Sequence, residues 1–150
     1  MAYTTVNKGK DHFNSVTYTG NGTSPRSITG VGFRPDLVWT KDRSDGSTQP
    51  WHDVVRGATY TIRSDNNVAS ENTSAYGYIT SFDSDGYTMQ QGSSDFGRFN
   101  DNSNSYVSFN WKAGNSQGSS NTDGSINTTY TSVNTTAGFS ISQYTGNGNA

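Results

Sequence analysis

The sequence predicts an all-β fold: a two-sheet antiparallel sandwich forming a single domain. Three observations carry that expectation. Ser, Thr, Asn and Gly make up 75 of the 150 residues, while strong helix formers are scarce, with one Leu (Leu37) and one Glu (Glu71). Apolar residues recur at period 2 in short runs rather than at helical spacing. Asn-Gly and Asp-Gly pairs punctuate the chain densely enough for roughly eight to ten short strands.

The first strand is read at Phe13-Asn14-Ser15-Val16-Thr17-Tyr18. A second opens at Leu37-Val38-Trp39-Thr40, after the turn signal Arg34-Pro35-Asp36. Tyr60 to Arg63, Tyr78 to Phe82, Tyr106 to Trp111 and Gly138 to Ser142 read the same way. Asp85-Gly86 links 78–82 to Tyr87-Thr88-Met89 as a hairpin, since Asp-Gly supplies the positive φ angles of a type I′ turn. Within 105–111, Val107, Phe109 and Trp111 share one face and are expected to point inward. The only helical turn expected lies near Asp53-Val54-Val55. Doubling or closing a sheet limits exposed edges, so sandwich and barrel are the candidates, and a jelly-roll sandwich is preferred.

Composition excludes several classes. No apolar run reaches the roughly 18 residues of a membrane span. Residues 1–10 lack an apolar h-region, so no Sec-type signal is read there. The absence of Cys removes disulfides and thiolate metal sites. Ten scattered Lys and Arg residues with a net charge of −2 give no nucleic-acid footprint. Leu, Ile, Val and Phe total only 22 residues, so neighbours in an assembly are expected to add stability.

One element occurs twice. Phe13-x4-Tyr18-Thr19-Gly20-Asn21-Gly22 recurs as Phe139-x4-Tyr144-Thr145-Gly146-Asn147-Gly148, 126 positions on. Either one strand-turn element serves as two neighbouring edge strands, or one unit ends near 137 and a second begins. The second reading divides the chain into an N-terminal arm (1–11), a sandwich domain (12–137) and a repeated strand (138–150).

Catalytic signals are weak. His12 and His52 are the only histidines, and His52, beside Asp53, reads as a turn or surface residue. No G-x-S-x-G elbow occurs. The eleven Asp residues offer pairs of the kind a polysaccharide depolymerase uses. Most, however (Asp42, Asp45, Asp83, Asp85, Asp101 and Asp123), sit in turns, where an Asp bonds local backbone. Asp83-Ser84-Asp85-Gly86 opens like a calcium loop, but position 94, which needs Glu, is Ser. An irregular cation site could pair Asp95 with Asp101. The expectation is no enzyme, no metal and no cofactor.

Glycan sites pair ring faces with Asn and Asp, and Tyr76, Tyr78, Phe96, Phe99 and Asn100 offer that mixture. The alternative for Phe96 and Phe99 is that both plug the end of the sandwich. Trp39, Trp51 and Trp111 are expected as core anchors, and Asp53 with Arg56 as a buried ion pair fixing a loop.

The order of several motifs resembles a module of unknown biochemical function in virion structural and tail-fibre-like proteins of marine bacteriophages. They are Tyr18-Thr19-Gly20-Asn21-Gly22, Gly32-Phe33-Arg34-Pro35-Asp36-Leu37-Val38 and the Arg56-Gly57 loop after Trp51-His52-Asp53. Then come Ser81-Phe82-Asp83-Ser84-Asp85-Gly86, Trp111-Lys112-Ala113-Gly114 and Asn134-Thr135-Thr136-Ala137-Gly138-Phe139-Ser140-Ile141. The resemblance implies a concanavalin-like or SPRY-like sandwich. It implies a virion protein assembled in the host cytoplasm and exposed on the particle, as capsid decoration or as a tail or fibre component. Its partners would be other virion proteins, copies of itself and, in a lectin-like attachment role, a host surface glycan. It transfers no catalytic residue.

Overall fold

The computed structural model describes residues 6–148. Residues 1–5 of the expected N-terminal arm, and 149–150, lie outside them. The described part of the arm holds a 3-10 turn at Gly9–Asp11. Among the described residues there are eleven strands: β1 (Phe13–Thr19), β2 (Arg26–Ile28), β3 (Leu37–Asp42), β4 (Pro50–Asp53), β5 (Tyr60–Arg63), β6 (Glu71–Asn72), β7 (Tyr78–Asp83), β8 (Gly86–Gln90), β9 (Ser105–Trp111), β10 (Thr128–Asn134) and β11 (Phe139–Tyr144). The fold is all-β, as the composition predicts. The expected helical turn after Asp53 is a single hydrogen-bonded turn over 54–56, closed by the Gly57 N–H on the Asp53 carbonyl at 3.1 Å.

Every pairing is antiparallel. A six-stranded sheet runs β1-β9-β3-β4-β5-β6, a three-stranded sheet β2-β8-β7 packs against it, and β10-β11 forms a separate hairpin. The interior lies between the first two. Ile28, Ile79, Tyr87 and Met89 from the small sheet meet Val38 from the large one, with Phe96 and Phe99 closing the end.

The phase of β9 is opposite to the expected one. Tyr106, Ser108 and Asn110 point inward and are buried, whereas Val107, Phe109 and Trp111 lie half-buried on the outer face. Period-2 alternation defines two faces but not which of them is covered. Here the covering sheet brings bulky Tyr87 and Met89, and small Ser108 and Thr40 opposite leave room for them. The three tryptophans are therefore not anchors of the inter-sheet core. They stand in a stacked row on the outer face: Trp39 to Trp51 at 5.1 Å, Trp51 to Trp111 at 6.1 Å, with Phe109 5.2 Å from Trp39. Trp39 directly opposes Trp51 on β4 and Phe109 on β9, and Trp51 reaches Trp111 across β3.

Two buried carboxylates fix the connections. Asp36 accepts the Ala113 and Asn115 N–H groups at 2.7 and 3.0 Å, tying the start of β3 to the end of β9. Asp53 accepts the Val55 and Arg56 N–H groups and pairs with the Arg56 guanidinium, as expected.

The 78–90 hairpin forms, but its turn is Ser84-Asp85, and neither residue takes a positive φ. Gly86 follows at φ 152°, pressed so closely on β2 that a Cβ would sit 1.9 Å from the Ile28 carbonyl oxygen. The division at 137/138 falls inside the β10-β11 hairpin, because β11 pairs with β10. Nor are the two copies of the repeated element neighbouring strands: β1 edges the large sheet, and β11 belongs to the separate hairpin.

Candidate functional site

A cavity of about 410 Å³ opens at one end of the sandwich, lined by Ser47, Thr48, Arg63, Tyr76, Asp95, Gly97, Arg98 and Asp101. Two of these residues, Arg63 and Arg98, are held by the chain's single Glu. Glu71 sits on the short β6, which pairs with β5 and so meets Arg63. Its second carboxylate oxygen accepts from Arg98 Nη1 at 3.1 Å. Arg98, 5% exposed, also donates to Ser74 Oγ at 2.7 Å, and its guanidinium carbon lies 4.6 Å from the centre of the Tyr76 ring. Burial works to raise the Glu71 pKa, but the hydrogen bonds from Arg98 and Arg63 outweigh it and hold the carboxyl below its ordinary value. Both guanidinium groups are thus engaged with Glu71, and the site is not an open anion trap.

The opposite wall is acidic. Asp95 Oδ1 accepts the Gly97 N–H at 3.1 Å. A Cβ at Gly97 would lie 3.1 Å from Asp101 Oδ2 and 3.5 Å from Asp95 Oδ1, so the two carboxylates flank this glycine. Burial, then the charges of Asp95, Asp45 and Asp42, push the Asp101 carboxyl above its ordinary value. Among the described residues, no three or more acidic or His side chains converge as metal ligands.

Chemically, this arrangement offers a ring, hydrogen-bond acceptors on Asp95 and Asp101, and hydroxyls on Ser47 and Thr48. It fits a neutral polyhydroxylated ligand, whose C–H face would lie on Tyr76 and whose hydroxyls would donate to the carboxylates.

Of the residues expected to bind a glycan, only Tyr76, 44% exposed, lines the cavity. Tyr78 is half-buried at the start of β7 and lies outside it. Phe96, Phe99 and Asn100 are buried, which corrects their assignment as ligand contacts. The Phe96 and Phe99 rings close the core, as the alternative expectation has it. The Asn100 carboxamide holds the 21–26 loop: it donates to Asn21 Oδ1 at 2.8 Å and the Thr23 carbonyl at 2.9 Å, and accepts from Arg26. His52, expected at the surface, is fully buried on β4, its Nε2 2.8 Å from Thr61 Oγ1. Sequence reasoning missed Glu71 and Arg98, although a lone Glu in so acid-poor a loop region was a usable signal.

Residues 8–150 match a domain of unknown function, DUF7483. The chain belongs to this family. No curated protein matches it. No solved structure matches it either. The DUF7483 match takes in all eleven strands, and with them both candidate surfaces, the loop-end cavity and the outer row of rings.

Proposed function

We propose that this chain is a non-catalytic virion structural module, displayed on a bacteriophage particle as capsid decoration or as part of a tail or fibre. It acts by association with other virion proteins and with copies of itself. The carrying observation is the outer face of the six-stranded sheet. Trp39, Trp51, Phe109 and Trp111 stand there half-buried beside Phe13, which is 42% exposed, while Ser108, Thr40 and Asn110 occupy the interior. Within the chain these rings are only partly covered, by one another and by Phe139 on Trp111, and a neighbouring protein would complete their burial. Aromatic-rich, charge-poor patches suit protein contact. The ordered motif resemblance to marine-phage virion proteins supplies the kind of partner, and a cysteine-free chain suits assembly in a reducing cytoplasm. Electron microscopy of particles from the host carrying this gene, labelled with antibody to the chain, is expected to show label on the particle. Unlabelled particles with the protein only as free monomers would overturn the reading.

A second reading is favoured by the loop-end cavity: a lectin-like module, compatible with the first if the particle touches its host there. On a glycan array the wild-type chain should bind a neutral glycan. Tyr76→Ala should bind about tenfold more weakly, from the loss of a ring contact. Its thermal midpoint should stay near the wild type's, since Tyr76 is 44% exposed. No wild-type binding removes this reading. Depolymerase activity is a third reading, and only the Asp95–Asp101 pair supports it.

A further inference from the structure

The repeated element gives the assembly reading a route. In its first copy, five of the six identical residues are fitted to a socket, β9 and the loop before it, Asn21 by accepting from the Asn100 carboxamide at 2.8 Å. The Phe13 ring lies 5.0 Å from Trp111. Tyr18 stacks on Tyr106 at 5.2 Å and donates its hydroxyl hydrogen to the Phe99 carbonyl at 2.9 Å. The Gly20 N–H donates to the Asn104 carbonyl at 2.7 Å, and the Gly22 N–H to the Asn100 carbonyl at 2.9 Å. Gly20 is required, because a Cβ there would lie 1.8 Å from the Asp101 carbonyl oxygen. Gly22 takes φ +66°.

In the second copy, Phe139 and Gly148 repeat features of the first, while Tyr144 and Gly146 do not. Phe139 again lies on Trp111, at 6.4 Å, and Gly148 takes φ +73°, close to the value at Gly22. But Tyr144 is 62% exposed. A Cβ at Gly146 would meet nothing within 4 Å, and its φ is ordinary, so the chain's own fold does not require glycine there. Residues 144 and 146 therefore carry the side-chain identities of a socketed strand at positions where their own chain provides no socket.

We infer that residues 139–148 are a docking strand for the socket of a second copy of this chain, where they take the place of that copy's β1. The inference rests on the assembly reading and names its partner and its contact. β1 is an edge strand, so it can be exchanged without opening the middle of the sheet. Docking gives up the β10–β11 pairing and repeats the Phe, Tyr and Gly fit of β1 in the second copy, and a head-to-tail arrangement of this kind builds rings or open chains rather than closed dimers. Ser140 and Ser142 take the places of Asn14 and Val16, and Val16 packs on the core. β11 is thus the weaker plug, which suits docking at the high local concentration of a particle and not in dilute solution.

Full-length chains compared by sedimentation over a wide concentration range provide the test. The average mass of the wild type should rise with concentration. Gly146→Ala should stay monomeric with an unchanged melting temperature, because the added methyl collides only inside a socket. Gly146→Ala associating like the wild type overturns the docking strand while the particle-labelling test of the assembly reading still stands. A wild type that stays monomeric at every concentration overturns the docking strand as well. A second arm uses the absence of cysteine. Gln143 corresponds to Thr17, which pairs with Val107, so mixed Gln143→Cys and Val107→Cys chains should form disulfide-linked dimers of unlike chains. Finding only like-chain dimers also overturns it.

Discussion

Phe99→Ala should destabilise the fold by about 3–5 kcal/mol, the usual cost of emptying a buried Phe site. The ring is fully buried in the cluster of Ile28, Val38, Ile79, Tyr87, Met89 and Phe96. Little can collapse into the space it leaves. His52 lies against it at 5.3 Å and Phe96 at 6.4 Å, and both are held by strand or loop hydrogen bonding. Gly77 is fitted to the same rings: at φ +99°, a Cβ there would sit 2.9 Å from both Phe96 and Phe99. Urea unfolding followed by tryptophan fluorescence measures the loss. A ring exposed for ligand contact would cost only about 0.5 kcal/mol when truncated. A midpoint shift that small would place Phe99 at the surface, among the ligand contacts.

Burial of Phe96 and Phe99 at the end of the sandwich is a long-range property, whereas strands and turns are written locally. Strands with alternating apolar residues and a turn at each end were legible: β1, β3, β5, β7, β8, β9 and β11 lie where the pattern puts them. β4 was not, because Pro50-Trp51-His52-Asp53 looks like a turn and becomes a strand only by pairing with β3 and β5. β10 was missed because its Thr and Ser residues resemble surrounding loop composition. The facing of β9 could not be read at all. Ser108 and Asn110 are buried only because a second sheet lies over them, and that is a long-range fact.

The cavity was legible in part. Tyr76 was visible as a ring in polar surroundings, and Asp95 with Asp101 as a close pair of carboxylates. What joins them is the Glu71 bridge to Arg63 and Arg98, partners 8 and 27 positions away. Side chains this far apart meet only once β5, β6 and the 95–101 loop are packed, and no local spacing encodes their meeting.

Stability should fall as pH drops from 6.5 toward 3, and His52 should be the cause. Its alternation on β4 sends the imidazole into the interior, with Nε2 on Thr61 and Nδ1 without a partner. Burial, then the positive charges of Arg98 and Arg56, pull its pKa from 6.5 down to about 3. The folded chain therefore keeps His52 neutral through a range where the unfolded chain protonates it. In that window the unfolded state binds the extra proton, so stability falls by about 1.4 kcal/mol per pH unit, and is flat above 6.5. Between pH 6.5 and 5 the loss is about 2 kcal/mol, or roughly 4–8 °C in melting temperature for a chain of this size. Between pH 6.5 and 5 the carboxylates cannot account for it. Glu71, Asp45 and Asp85 have lowered pKa values, so their stabilisation is lost only at lower pH, as they protonate. Asp101, with a raised value, works in the opposite direction and gains stability on acidification. His52→Gln keeps a polar side chain near Thr61 but cannot take up a proton. Its melting temperature should change little between pH 6.5 and 5, although lower throughout. If it falls as steeply as the wild type's, another group holds the proton and His52 is not the acid-sensitive element of this core.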